Sequence, residues 1–278
     1  MSALVLLALL SCIDVGPLRA GESPPPPATP PQRLYGFHQI GLDAQYLATR
    51  PWHLDRRGKI KVAVTAGTAG TLFLLRNRIR DYAQEHRSEA RDRFLQKPRT
   101  MGKGAFAPSL SLLTYGASFL THDDREKETS VLLLESMAFT GIGVGLGQFV
   151  LSSQRPEIGK EVHFFRWGGH GVSGDAGLAA SVVPILRRQY LLAKPQDGRV
   201  LRVWKRTATG LLYAGAGLTA YQRINNDKHW APDAFLGLVT GFTVGETLCD
   251  SHDKARAQLR DRLSLDFGPH GAALKFVF

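Results

Sequence analysis

Arg223, His229 and Asp233 stand within eleven residues of one another, in the stretch YQRINNDKHWAPDAFLGLVTGF. They are three side-chain types that together can attack a phosphate. A guanidinium neutralises the oxyanion, an imidazole attacks, and a carboxylate orients the imidazole. Pro232 fits a helix only in its first turn, so the spacing predicts a helix that begins close to His229. His229 and Asp233 would then lie at i and i+4 on one face. Asp233 is expected to accept from one imidazole nitrogen and leave the other free for phosphorus. The helix N-terminus would add backbone donors and the positive end of its dipole. Arg223, at the end of the preceding helix, offers a planar fork for two phosphate oxygens. The bland alternative is a solvated histidine beside an Arg–Asp surface pair.

Two upstream segments, QFVLSSQRP and GGHGVSGDAG, carry possible partners. Gln148 and Arg155 are seven apart, two helical turns, and so share a side. Arg155 is a candidate phosphate ligand and Gln148 a neutral hydrogen-bond donor to the same anion; otherwise Arg155-Pro156 is a helix end with a solvated arginine. Ser173 is suited to cap a helix starting at DAGLAAS, and Gly174 lets the backbone come close to a phosphate. Asp175 follows in the same segment and is a carboxyl group that could pass a proton to a leaving group. A carboxyl group can serve so only while it holds a proton, which a free Asp does not at neutral pH. His170 is a possible substitute acid or an ordinary loop histidine.

The elements that must position these residues follow from the pattern of apolar and charged stretches. Six apolar segments read as helices: 62–75, 105–120, 131–151, 176–186, 207–221 and 234–248. Each is rich in small residues, which suits close packing in a bilayer and equally a compact soluble bundle; several are short for a full span, and membrane integration is the favoured expectation. Glu135 interrupts one of them and is expected to face a polar cavity or an arginine, or else to mark a soluble helix that does not span. Residues 1–20 read as a signal peptide or N-terminal anchor, and GESPPPPATPPQ opens a proline-rich linker and surface segment over 21–57. The helical domain then covers 58–252, and 253–278 form a tail in which LSLDF and AALKFVF make a β-hairpin.

Composition narrows the partners. The 278 residues carry a formal net charge of +11, and the mean hydropathy is -0.12. The charged stretches must therefore lie outside any bilayer. Such an excess favours phosphate esters and anionic headgroups. With no RNA-recognition signature, zinc-finger spacing or helix-turn-helix pattern, nucleic acid is not an expected partner. The two cysteines, Cys12 and Cys249, make no disulfide framework and no Cys/His metal cluster, so neither a metal nor a cofactor is expected.

Taken together, the three segments resemble the type 2 phosphatidic acid phosphatase (PAP2) superfamily, which also contains vanadium haloperoxidases. Its third motif, Ser-Arg-x5-His-x3-Asp, reads here Gln222-Arg223-x5-His229-x3-Asp233; its first, Lys-x6-Arg-Pro, reads Gln148-x6-Arg155-Pro156; its second, Pro-Ser-Gly-His, reads Val172-Ser173-Gly174-Asp175. The resemblance spans roughly residues 55–250. It implies an all-α bundle of about six helices, embedded in a membrane. His229 would be the nucleophile, Asp233 its orienter, Asp175, in the place of the family's histidine, the donor to the leaving alkoxide, and Arg223, Arg155, Ser173, Gly174 and Gln148 the phosphate-binding set. The implied activity is metal-independent hydrolysis of lipid phosphates or pyrophosphates through a phosphohistidine, with the site facing the periplasm. The departures at Gln148 and Asp175 keep two other readings open: a catalytically impaired relative that binds anionic lipid, and a vanadium-dependent haloperoxidase. Losing the cation at Gln148 would cost about 1.5–3 kcal/mol of dianion binding.

Overall fold

Small residues at four-residue spacing decide how the helices meet. The computed structural model describes residues 34–268 and 271–276; the expected leader and the proline run after it lie outside them. The first helices are α1 (Phe37–Thr49), α2 (Arg56–Leu74), α3 (Arg76–Glu85) and α4 (Glu89–Arg99), followed by α5 (Phe106–Thr121) and α6 (Asp124–Val150). A short hairpin, β1 (Leu151–Ser153) with β2 (Val162–Phe164), separates these from α7 (Gly174–Leu186), α8 (Arg199–Asn225) and α9 (Ala231–Arg262). The C-terminal hairpin joins β3 (Leu263–Gly268) to β4 (Gly271–Phe276), in a register running from Leu263 opposite Phe276 to Gly268 opposite Gly271.

The shortest of the central helices, α7, is the core. Ala176, Gly177 and every residue from Ala179 to Ile185 are buried, enclosed by α6, α8 and α9. The closest approach is to α9. A Cβ added at Gly237, Gly241 or Gly245 would collide with the carbonyl of Ser173, Gly177 or Ser181 respectively. Two ridges of small residues, each repeating every fourth position, thus lie backbone against backbone. Ala176, Ala179, Ala180, Val183, Ala216, Ala220, Ala234 and Leu238 fill the space around them. A second cluster, built on Leu132, Leu133, Val182, Ile185 and Leu248, continues the core toward the other end of the bundle.

All six apolar segments are helical, and four of them extend well past their apolar limits. α9 continues to Arg262 because its polar residues find ionic partners: Arg188 binds Glu246 at 2.6 Å, Asp250 at 2.7 Å and Asp253 at 2.8 Å. Three more helices lie outside those segments: α3 and α4 arise from sequence too charged to show an apolar stripe, and α1 from the surface segment after the proline run. α4 is capped by Ser88, whose oxygen accepts from the Arg91 N–H at 3.3 Å. It is tied to α8 by Asn225, which donates to Asp92 at 2.6 Å.

Replacing Gly241 with Val should lower stability by about 1–3 kcal/mol, because the backbones must separate. A Cβ at Gly217 meets nothing within 4 Å, so Gly217→Ala should be neutral or stabilising by up to about 1 kcal/mol. Thermal unfolding of both variants in the same detergent measures the contrast.

Candidate functional site

Every sequence-predicted site residue lies at one end of the bundle, where α6 and α8 finish and α7 and α9 start. The five residues between Arg223 and His229 do not extend away from α8. They fold back on its last turn: Asn226 N–H donates to Gln222 O at 3.0 Å, Lys228 N–H to Arg223 O at 3.0 Å, and His229 N–H to Arg223 O at 3.3 Å. The spacing of the motif is thus the length needed to curl back onto the carbonyl of its own arginine. Asp227 takes a left-handed conformation in this turn, with φ of 57°. Its carboxylate accepts two hydrogen bonds of 2.6 Å from Arg80 on α3. Trp230 closes the loop. Its indole N–H donates to Gln154 O at 2.9 Å, and the Arg76 and Arg80 guanidiniums lie 5.6 and 5.9 Å from its ring.

His229 is buried, and its Nδ1 lies 3.1 Å from the carbonyl of His170. A carbonyl only accepts, so Nδ1 carries the proton and Nε2 is left with its lone pair. Here the structure corrects an expectation. The Nδ1 to Asp233 separation is 3.9 Å, too long for a hydrogen bond. Asp233 is used instead as a helix cap: its Oδ2 accepts from Trp230 N–H at 3.1 Å and from Ser153 Oγ at 3.3 Å. The imidazole is oriented by a loop carbonyl, and the carboxylate fixes the backbone that carries the imidazole.

That loop, GGHGVSG, passes so close to β1 that Cβ atoms at Gly169 and Gly171 would collide with the backbones of Ser152 and Leu151. Its far end is pinned by Ser173, whose N–H donates to Asp233 O at 2.9 Å. Ser173 Oγ caps α7 by accepting from Ala176 N–H at 3.4 Å. Both polar groups of Ser173 are therefore spent on structure, and Gly174 is left as the backbone donor at the helix start. Gln148 is likewise occupied. Its amide donates to Val172 O at 2.8 Å, bracing the loop rather than reaching for an anion. His170 stands edge-on to His229, with ring centroids 6.4 Å apart. Burial, and then the charges of Arg155 and His229, press its pKa below that of a free histidine.

Asp175 lies between two cations, 3.1 Å from Arg99 Nε and 3.2 Å from Arg223 NH1. It accepts a hydrogen bond from Arg99 and forms an ion pair with Arg223, and so acts as an anchor for cations. Arg223 is also within electrostatic reach of Arg155 and Glu157. Arg155 approaches Glu157 at 3.8 Å, while Lys228 binds the same carboxylate at 2.6 Å. The Nε atoms of both Arg155 and Arg223 are buried without a hydrogen-bond partner. Two buried guanidinium donors without partners are groups that an anion could satisfy.

Arg99, Glu157, Ser153 and the Arg80–Asp227 pair all belong to this construction, and sequence reasoning did not find them. Arg99 is 76 residues from Asp175 and sits in a run of charge that looks merely solvated. The one available signal was Asp227, two residues before His229 in a turn.

If the guanidiniums form an anion site, Arg223→Gln should weaken binding of inorganic phosphate or vanadate about 10–100-fold, the equivalent of about 1.5–3 kcal/mol. Asp175→Asn should strengthen it, since the anion no longer competes with a carboxylate. Calorimetric titration of each variant reads both signs.

No family model and no curated protein matches the chain. Two solved structures are similar to it. One is LpxE of Aquifex aeolicus, with a TM-score of 0.46 and 18% identity, covering 63% of this chain and 95% of that one. The other is the first transmembrane PAP2 type phosphatidylglycerolphosphate phosphatase from Bacillus subtilis, with a TM-score of 0.49 and 14% identity, covering 79% of this chain and 98% of that one.

Proposed function

We propose that the chain is a PAP2-type phosphatase that removes phosphate from a lipid phosphate or pyrophosphate, with His229 as nucleophile. The observation that carries this is the state of the imidazole. Its Nδ1 is tied to the His170 carbonyl, its Nε2 is free, and buried guanidinium nitrogens without partners lie at the same end of the bundle. The Nε2 lone pair forms the bond to phosphorus as the bond to the leaving oxygen breaks. Charge on the equatorial oxygens is met by Arg155, Arg223 and the Gly174 N–H. The leaving oxygen takes a proton from water, because Asp175 is ion-paired with Arg99 and Arg223. Water then attacks the phosphohistidine and restores the imidazole. Asp175 serves to hold the two guanidiniums in place, and Gln148 to hold the Val172 turn.

A lipid substrate is supported by the outer surface. Leu112, Leu113, Phe119 and Leu120 on α5, with Leu134, Ile142 and Leu146 on α6, are exposed. Among the described residues one helix, Asp124–Val150, is long and apolar enough to cross a membrane. Phe164, Phe165 and Trp167 project from the hairpin and loop beside the site, in the manner of side chains that settle at a headgroup boundary. The site would then meet headgroups at the membrane surface, on the periplasmic side of an inner membrane.

A second reading, binding of anionic lipid with little turnover, is favoured by the same two departures. Asp175 is ion-paired where a proton donor would be useful, and Gln148 brings no charge.

With short-chain phosphatidate and an isoprenyl pyrophosphate in mixed micelles, the wild-type chain should release phosphate and accumulate an acid-labile phosphohistidine on quenching. His229→Ala should lose about 10³-fold or more. Retention of full activity by that variant excludes His229 as nucleophile. Vesicle binding by a wild-type chain that releases no phosphate would select the second reading.

A further inference from the structure

The other end of the bundle holds a pocket of opposite character. Asp43 on α1, Glu135 on α6 and His252 on α9 bring two carboxylates and an imidazole together, with one potential ligand atom from each lying within 4.8 Å of the others. All three are buried, with Asp43 0%, His252 1% and Glu135 5% exposed. His252 Nε2 lies 3.0 Å from Asp43 Oδ2, and its Nδ1 lies 2.7 Å from Glu128 Oε1. Gln39 donates to the other Asp43 oxygen at 2.9 Å, and Arg256 donates to Glu128. Glu135 is different. It faces the Asp43 carboxylate, and neither of its oxygens has a hydrogen-bond partner.

A buried carboxyl group pointed at a second carboxylate keeps a proton or takes a cation in its place, since left ionised its repulsion and desolvation are uncompensated. Among the described residues the pocket sets three carboxylates, Asp43, Glu128 and Glu135, against one imidazole and one guanidinium. A doubly charged cation beside a neutral imidazole would balance it. The surroundings also have the form that a metal-binding histidine requires. His252 has one nitrogen turned to the two carboxylates, and the other is held by Glu128, itself fixed by Arg256. Such a carboxylate partner sets the tautomer and orientation of a ligating imidazole. Gln39 and Asp43 are one helical turn apart, and Glu128 and Glu135 two turns apart, so each helix presents a ligand and its support on one face.

We propose that His252 Nε2, Asp43 and Glu135 bind a divalent transition-metal ion that clamps α1 to α6 and α9. Binding replaces the Nε2 proton, which leaves to solvent, and the Nδ1 proton stays with Glu128. Three protein ligands of this kind leave a fourth position for water in a tetrahedral ion. Because the ligands are fully enclosed, the ion enters as the helices assemble, and its binding energy adds to folding. The site is distant from His229 and independent of the phosphatase reading.

The full chain, purified in detergent without chelators from zinc-supplemented cells, should carry about one ion per chain by elemental analysis. Glu135→Gln should lose the ion at least tenfold while still binding vanadate at the opposite end. Glu128→Gln should weaken Zn2+ binding about 10–100-fold. Added Zn2+ should raise the unfolding temperature of metal-stripped wild-type chain and leave Glu135→Gln unchanged. The alternative occupant is a proton shared by Glu135 and Asp43. In that case the chain holds no stoichiometric metal, its unfolding temperature ignores Zn2+, and Glu135→Gln unfolds at the same or a higher temperature because the amide supplies the missing donor. That set of results overturns the proposal. Since Glu135→Gln is nearly isosteric, either result can be read without relying on a variant that fails to fold.

Discussion

Backbone contact between α7 and α9 is the constraint on which the molecule depends. Gly237, Gly241 and Gly245 allow α9 to lie directly on the carbonyls of Ser173, Gly177 and Ser181. At the last step of that contact Ser173 donates to the carbonyl of Asp233. One hydrogen bond thus joins two segments sixty residues apart. With a larger residue in the stripe the helices separate, the GGHG loop loses its anchor, and the His170 carbonyl no longer holds His229. Packing of the smallest side chains in the core therefore governs the direction of the His229 imidazole.

Around that contact, charge is organised by who satisfies whom. At the site end carboxylates serve cations: Asp175 steadies Arg99 and Arg223, Asp227 steadies Arg80, and Glu157 lies between Arg155 and Lys228. Positive charge nevertheless remains in excess, and the Nε atoms of Arg155 and Arg223 are buried without a hydrogen-bond partner. At the far end the balance is reversed, and both oxygens of Glu135 are among the buried atoms without a partner. α6 and α9 run through both regions. A bundle whose exterior is apolar along α5 and α6 must satisfy its charges internally, and it does so by collecting them at its two ends.

Substitutions at conserved-looking motif positions of a resembling family need not leave holes. Gln148 has become a brace for the Val172 turn, and Asp175 a pivot between two arginines. Asp233 caps α9 and grips Ser153 instead of touching the imidazole. In each case a polar side chain near a helix end has satisfied a nearby backbone group or charge, because unmet donors and acceptors there are costly.

The sequence by itself determined the helices, their small-residue faces, the C-terminal hairpin and the three segments that carry the candidate chemistry. Those are local matters: Pro232 marks a helix start, Ser173 a cap, and uninterrupted apolar runs have no better partner for their backbone than themselves. It could not show α1, α3 and α4, whose charges are stabilised by distant partners, nor Arg99 beside Asp175. It also assigned Asp233 to His229 because i and i+4 are neighbours on a helix. The helix begins only at Ala231, so His229 lies outside the regular geometry and turns to His170 instead. The pocket of Asp43, Glu135 and His252 was invisible for the same reason, with two of its members 209 residues apart. Spacing along the chain reports what one turn of backbone can bring together. Which charges face each other across the bundle is decided by packing, and only the tertiary structure contains it.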